Sequence, residues 1–145
     1  SARDNSRTPM QWTDETNGGF TTGTPWMKVN PNYREINVKV QAEQKDSILS
    51  FYKKMIHLKK ENVVFTYGKY DLLMEDDAQV YAYTRTSEDD KVIVIANLTG
   101  REAHFISEGM ALDPKNILLH NYTVEQQDAV SEIHLKPYEA RVYRL

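Results

Sequence analysis

Residues 80–98, VYAYTRTSEDDKVIVIANL, decide the predicted fold. In residues 80–85 aromatic or charged side chains alternate with smaller ones, which is the period of two expected for a strand buried on one face. Residues 91–98 are rich in Val and Ile and are typical of a central strand. The polar residues 87–90 separate the two runs, so we predict two strands joined by a hairpin loop.

The same pattern predicts further short strands. Runs near residues 68–74, 104–106, 117–119, 133–135 and 140–145 alternate or are rich in β-branched residues. The acidic run 75–77 predicts a turn between two of these strands. Strands at this spacing, joined by polar turns, indicate an antiparallel β-sandwich of roughly 80 residues.

An amphipathic helix is predicted before the strands, over residues 47–60. Either Asp46 or Ser47 can cap its start, and Asn62 is a plausible stop. Because a large apolar face rarely stays exposed, we expect this one to be covered by the β-domain, by residues 1–45 or by a second copy of the chain. The apolar residues recur at i, i+3, i+4, i+7 and i+8: Ile48, Phe51, Tyr52, Met55 and Ile56.

Residues 1 to about 45 are predicted to be loop-like, because Gly and Pro interrupt them and no regular apolar pattern emerges. Within them residues 3–12, RDNSRTPMQW, combine charged and amide side chains with Pro9, Met10 and Trp12. Such a segment is typical of an ordered loop that presents polar groups to a ligand. Isolated aromatic residues argue against disorder of the region: Trp12, Phe20, Trp26 and Tyr33.

Composition argues against several classes of function. The 145 residues carry a net charge of −3 and no stripe of Lys or Arg, so nucleic-acid binding is not expected. No apolar run approaches the roughly 20 residues that span a bilayer, and we expect no membrane partner. There is no Cys, so thiolate metal sites are excluded. The histidines also lack a spacing typical of metal ligands, and we predict no metal or cofactor site. The four histidines are His57, His104, His120 and His134.

Six segments, distributed over the whole chain, resemble the oligo-1,6-glucosidase and α-glucosidase branch of glycoside hydrolase family thirteen. They are RDNSRTPMQW (3–12), GFTTGTPW (19–26), VNPNY (29–33), INV (36–38), SFYKKMIHLKK (50–60) and LKPYEARVY (135–143). The resemblance implies a (β/α)8 catalytic barrel followed by an antiparallel β-domain. Residues 1–62 would then be the loop after the eighth barrel strand and the last barrel helix, and residues 63–145 the C-terminal β-domain. The absence of an initiator Met also suggests a piece of a longer protein.

The resemblance also assigns roles within the loop. Retaining glycoside hydrolysis needs two carboxyl groups about 5–5.5 Å apart, and in the family these residues precede the loop. We therefore expect no catalytic residue in this chain and give Asp4 and Asp14 no catalytic role. Arg7 corresponds to the family residue that grips the non-reducing-end glucose, so it is the predicted substrate-binding residue; a loop ion pair is the alternative role. For Trp12 and Trp26 we favour anchoring of the loop over stacking on sugar rings.

The implied parent protein is a cytoplasmic α-glucosidase that hydrolyses α-1,6-linked gluco-oligosaccharides with retention, α-1,4 linkages being the alternative. Its substrate would be the only small-molecule partner, with no cofactor, and the present chain alone would be inactive. Trehalose-6-phosphate hydrolases, dextran glucosidases and sucrose isomerases have similar loops, and the first two remain alternatives for the parent protein. A stand-alone carbohydrate-binding β-domain would instead use exposed aromatic residues such as Tyr81, Tyr83 and Tyr143. A β-domain that only braces the barrel is the third hypothesis.

Overall fold

The computed structural model describes residues 2–145 and consists mostly of antiparallel strands with few helices. The chain divides into two compact units, Ser1–Lys54 and Met55–Leu145, which are described separately. The domain boundary predicted between residues 62 and 63 stays a prediction.

The first unit contains more regular structure than the predicted loop. Turns of 3-10 helix form at Ala2–Ser6, Thr16–Gly19 and Pro31–Arg34, and helix α1 spans Val38–Glu43. The buried Asn37 starts α1, because its side chain accepts a hydrogen bond from the Val40 N–H at 2.9 Å and donates one to the Tyr33 carbonyl at 2.9 Å. The loop-like prediction for residues 1–45 is therefore wrong at α1, which is six residues long and carries no full apolar stripe.

Helix α2, Ile48–Glu61, confirms the predicted helix to within one residue at each end. Ser47 is the cap, since its hydroxyl accepts the Ser50 N–H at 3.1 Å. After the last turn, the Asn62 side chain donates to the Leu58 carbonyl at 2.8 Å, as expected for the residue that ends the helix. None of the α2 residues is buried.

The apolar stripe of α2 is thus largely exposed. Ile48 is 70% exposed, Tyr52 55% and Ile56 49%. What covers this stripe, including a second copy of the chain, stays a prediction.

A short helix lies at the start of the predicted β-domain. Helix α3 spans Val64–Tyr67 and ends at the buried Gly68. The first strand therefore begins directly after residue 68, as the run near residues 68–74 predicts.

All the predicted strands form. In the part of the chain that the structure describes they are β1 (Lys69–Leu73), β2 (Val80–Thr86), β3 (Lys91–Asn97), β4 (Ala103–Ile106), β5 (Ile117–His120), β6 (Glu132–Leu135) and β7 (Ala140–Arg144). Five of them make one sheet in the order β1-β2-β3-β7-β5, and β4 pairs with β6 in a second sheet. Every pair is antiparallel.

The core lies between the two sheets, which makes the second unit a β-sandwich. Ile93 and Ile95 of the larger sheet and Phe105 of the smaller one are fully buried in a single apolar cluster. Alternation holds in the smaller sheet, where buried residues of β4 and β6 alternate with exposed ones. The predicted hairpin loop is confirmed by the Ser87 N–H, which donates to the Asp90 carbonyl at 2.8 Å. The fold is mainly β, as predicted.

Candidate functional site

The loop of residues 3–12 begins as a single 3-10 turn. The Ser6 hydroxyl donates to the Arg3 carbonyl at 2.9 Å, and the Arg7 N–H donates to the Asp4 carbonyl at 3.0 Å. These bonds shape the backbone immediately before Arg7. Pro9, two residues later, is buried and fixes the direction in which the chain leaves the turn.

Gln11 ties the end of this loop to the rest of the first unit. Its side-chain amide donates to the Asn32 side chain at 2.9 Å and to the Ile36 carbonyl at 2.6 Å. Its own carbonyl accepts the Val38 N–H at 3.0 Å. Three polar contacts from one residue hold the loop against residues 32–38, which end at the first residue of α1, so an amide at this position has a structural explanation.

A tight turn completes the support of the loop. Asn17 and Gly18 adopt left-handed backbone conformations with φ of 57° and 64°, which Asn and Gly tolerate best. The Gly18 carbonyl can then accept both the Trp12 and the Thr13 N–H, at 2.8 and 3.0 Å. The loop that carries Arg7 is therefore ordered by its own unit.

The Arg7 side chain is exposed, and within residues 2–145 its guanidinium takes part in no hydrogen bond or ion pair. The alternative role, a loop ion pair, is thus not found in this part of the molecule. A guanidinium has five N–H donors in a rigid planar fork. On this loop they are free to bind a ligand.

The nearby acidic and aromatic residues fit other roles. Asp14 lies 3.5 Å from the Lys39 ammonium at the surface. Trp12 is 49% exposed and is held through its backbone, since its carbonyl accepts the Lys39 N–H at 3.0 Å. Trp26 is 90% exposed, so its predicted anchoring role is not fulfilled by residues 2–145.

The aromatic platform predicted on the β-domain wrongly includes Tyr143 and leaves out Tyr70. Tyr143 is fully buried and cannot contact a ligand, whereas Tyr81 is 42% exposed. The hydroxyl of Tyr81 lies 3.1 Å from that of Tyr70, which is also 42% exposed. The ring of Tyr83 packs against both, at 5.2 Å from Tyr70 and 5.4 Å from Tyr81. The exposed pair is therefore Tyr70 and Tyr81, and the strand pattern of residues 69–73 was the only signal for Tyr70.

The hydroxyl pair also changes the acidity of Tyr70. The hydrogen bond with Tyr81 raises the pKa of Tyr70 to about 12, helped by loss of solvent and by repulsion between the phenolates of Tyr70, Tyr81 and Tyr83. The hydroxyl of Tyr70 is thus neutral at ordinary pH and can both donate and accept hydrogen bonds.

Two of the four histidines lie side by side in the structure. His104 of β4 lies directly opposite His134 of β6, and the exposed side chains of these two residues and Glu132 form a group able to hold a metal ion. The sequence could not reveal this group, since the register of β4 against β6 brings together residues about 30 positions apart. The other two histidines have separate partners: His57 contacts Glu61 at 3.1 Å and His120 contacts the Tyr122 carbonyl at 2.7 Å.

No helix in the described residues has both the length and the apolar character needed to cross a membrane. The model of the α-amylase catalytic domain matches residues 1–68, and that of the C-terminal domain of the α-amylase SusG matches residues 80–142.

Known proteins resemble the chain over nearly its whole length. It is 47% identical over 144 residues to an oligo-1,6-glucosidase of Parageobacillus thermoglucosidasius, covering 99% of the chain and 26% of that protein. A trehalose-6-phosphate hydrolase of Bacillus subtilis is 42% identical over 147 residues, with 99% and 26% covered. The crystal structure of the trehalulose synthase of Pseudomonas mesoacidophila superposes with a TM-score of 0.92 at 35% identity, over 98% of the chain and 26% of the enzyme.

The chain therefore spans about a quarter of the length of these relatives. The match extends across both compact units, from the loop that carries Arg7 to the last strand. Since one family model matches the first unit and another the β-domain, the chain belongs to the α-amylase family, glycoside hydrolase family thirteen, and corresponds to its C-terminal part.

Proposed function

We propose that this chain is the C-terminal part of a cytoplasmic α-glucosidase that releases glucose from α-1,6-linked gluco-oligosaccharides with retention. Sequence identity of 47% to an oligo-1,6-glucosidase supports the substrate class. The observation that carries the proposal is the exposed guanidinium of Arg7, which has no hydrogen-bond or ion-pair partner among the described residues and lies on an ordered loop.

The role of Arg7 follows from its chemistry. Its fixed fork of donors suits neighbouring hydroxyl groups on one sugar ring. If those hydroxyls belong to the terminal glucose of the oligosaccharide, the loop leaves no room for a further sugar beyond that glucose. The parent protein would then act from the non-reducing end on short substrates.

The chain alone would not hydrolyse glycosides. Retention requires a carboxylate nucleophile and a carboxylic acid on opposite sides of the scissile bond. We assign both to residues upstream of this chain in the parent protein. Residues 63–145 would then contribute stability and no catalytic group, and no cofactor is needed for the reaction.

The decisive experiment compares this chain with the same chain extended by its native upstream coding region. Both are assayed for glucose release from isomaltose, maltotriose and trehalose 6-phosphate. Activity on isomaltose in the extended form alone supports the proposal. Preference for maltotriose identifies an α-1,4 enzyme, and no activity in a well-folded extended protein would overturn the α-glucosidase assignment.

The identity of 42% to a trehalose-6-phosphate hydrolase favours that activity as the second candidate. Release of glucose from trehalose 6-phosphate, faster than from isomaltose, would establish it over the first. Binding of dextran by the short chain itself, mediated by the exposed Tyr70 and Tyr81, would instead favour a carbohydrate-binding β-domain.

Replacement of Arg7 tests its role within the extended protein. We expect Arg7→Ala to lower kcat/KM for the preferred substrate by about ten- to a hundredfold, the usual effect of losing a charged hydrogen bond. Arg7→Lys should recover little, because an ammonium lacks the planar fork.

The matched control is Arg34→Ala. Arg34 is also exposed in the first unit, but its guanidinium lies over the Tyr33 ring at 5.6 Å. An equal loss of kcat/KM in both variants, or none in Arg7→Ala, would remove Arg7 from the binding site.

A further inference from the structure

The exposed face of the small β4–β6 sheet carries two histidines side by side. Along each strand the residues alternate between core and solvent, with Ala103 and Phe105 of β4 buried and His104 exposed. Likewise His134 is exposed between Ile133 and Leu135 of β6. Because His104 and His134 are register partners, their rings stack on the solvent side with centroids 4.5 Å apart and planes 12° apart.

A carboxylate completes the group. Glu132 lies two residues before His134 on the same face of β6, and one of its oxygens contacts Nε2 of His104. One ligand atom from each of the three residues lies within 4.8 Å of the other two. In a tetrahedral zinc site the ligand atoms are roughly 3.3 Å apart, given Zn–N and Zn–O lengths of about 2.0–2.2 Å. Small rotations of these exposed side chains close that difference.

We propose that His104, His134 and Glu132 form a binding site for one divalent transition-metal ion, of which Zn²⁺ is the representative. Neutral imidazole is the preferred ligand of zinc, copper and nickel. Two imidazoles and one carboxylate give three protein ligands and leave a fourth position for water. Mg²⁺ and Ca²⁺ require mainly oxygen ligands and should not bind here.

The proposed ion would link two strands that are otherwise paired only with each other. In the larger sheet, β2, β3 and β7 each have a strand on both sides, whereas β4 and β6 form an isolated pair. Because the three ligands come from both strands, the bound ion acts as a clamp across that pair. Binding to the folded state alone raises stability by mass action, so added zinc should raise the melting temperature.

The test is a calorimetric titration of the 145-residue chain with ZnCl₂, alongside thermal unfolding with and without zinc. We expect one ion per chain. The variants His104→Gln and His134→Gln should each weaken binding by at least about tenfold, the low end of the losses seen when even a group that only orients a ligand is removed. Glu132→Gln should also weaken it, and the zinc-dependent rise in melting temperature should disappear in His134→Gln.

The matched control is His57→Gln on α2. His57 also contacts a carboxylate, that of Glu61 at 3.1 Å, but among the described residues this pair belongs to no group of three metal-ligating side chains. It should leave zinc binding unchanged. Replacing ZnCl₂ by CaCl₂ should give no saturable binding that depends on His134.

Several results would overturn the site. The first is that the wild-type chain shows no saturable zinc binding, and the second is that any of the three ligand variants binds zinc with wild-type affinity. The third such result is a loss of zinc affinity in His57→Gln equal to that in the ligand variants. Because the three ligand positions are exposed, the variants should fold. Should one fail to do so, the other two decide the outcome.

Discussion

At the scale of single residues, the β-domain depends on a buried ion pair. Glu139 is 1% exposed and accepts a hydrogen bond from Nε of Arg141 at 2.7 Å. Its second oxygen accepts the Lys136 N–H at 2.7 Å. The guanidinium of Arg141 also donates to Gln126 at 2.9 Å and to the Tyr143 hydroxyl at 3.2 Å. This network gives the charged side chains of Glu139 and Arg141, in the segment LKPYEARVY, a structural role.

We expect Glu139→Gln to lower the free energy of unfolding by about 3 kcal/mol, because it leaves the buried charge of Arg141 without a counter-charge. The measurement is urea denaturation followed by far-UV circular dichroism. Asp71→Asn is the control, since it breaks an ion pair of 2.8 Å with Lys69 whose side chains are 76% and 45% exposed. Such a pair should cost less than about 1 kcal/mol. Equal losses in the two variants would mean that the buried pair has no special weight.

At the scale of elements, the sequence predicted the helices and strands whose apolar residues repeat with a clear period. The strands and α2 repeat their apolar pattern over enough residues to be recognised. Helices α1 and α3 are six and four residues long, so neither completes two turns, and each depends on a local feature instead. The pairing of β4 with β6 joins strands about 30 residues apart, and no local pattern fixes such a register. For that reason the His104–His134 pair was missed.

Gly68 is the local feature that permits the turn from α3 into β1. Its φ of −60° and ψ of 147° suit any residue, so the requirement is space. A Cβ at this position would lie 2.6 Å from the Val64 carbonyl oxygen and 3.0 Å from the Thr86 nitrogen. Both are backbone atoms, and they cannot rotate away as a side chain could.

We therefore expect Gly68→Ala to destabilise the protein by about 1–3 kcal/mol, as overpacking usually does. Thermal unfolding followed by circular dichroism would show a melting temperature several degrees lower. Gly100→Ala is the control, because its nearest contact is the Tyr138 hydroxyl at 3.4 Å on a side chain that is 64% exposed. If Gly68→Ala and Gly100→Ala had the same melting temperature, the backbone around residue 68 could make room for a Cβ without loss of stability.

At the scale of the whole molecule, a feature could be predicted when all the residues that it needs lie within this chain. The β-domain builds its core from its own residues, and its fold followed from the sequence. The Arg7 loop is ordered by Gln11 and by the turn at Asn17 and Gly18, but the sugar-binding role proposed for Arg7 would involve groups outside residues 1–145. The sequence could therefore identify Arg7 only through the resemblance to a family. The same holds for the exposed stripe of α2: an apolar helix face needs a partner, and the sequence does not identify that partner.

We expect the isolated chain to self-associate through that stripe. Ile48 and Tyr52 are 70% and 55% exposed, and pairing two such faces removes apolar surface from water at about 25 cal/mol per Å². Sedimentation velocity should show a weight-average sedimentation coefficient that rises with protein concentration. The double variant Ile48→Gln/Tyr52→Gln should reduce this rise, whereas Lys53→Gln/Lys59→Gln, which alters charged residues of the same helix, should not. If the upstream region covers the stripe, the extended protein should not associate in this way. A chain that stays monomeric at every concentration would show that this helix face tolerates water, and its apolar pattern would then need another explanation.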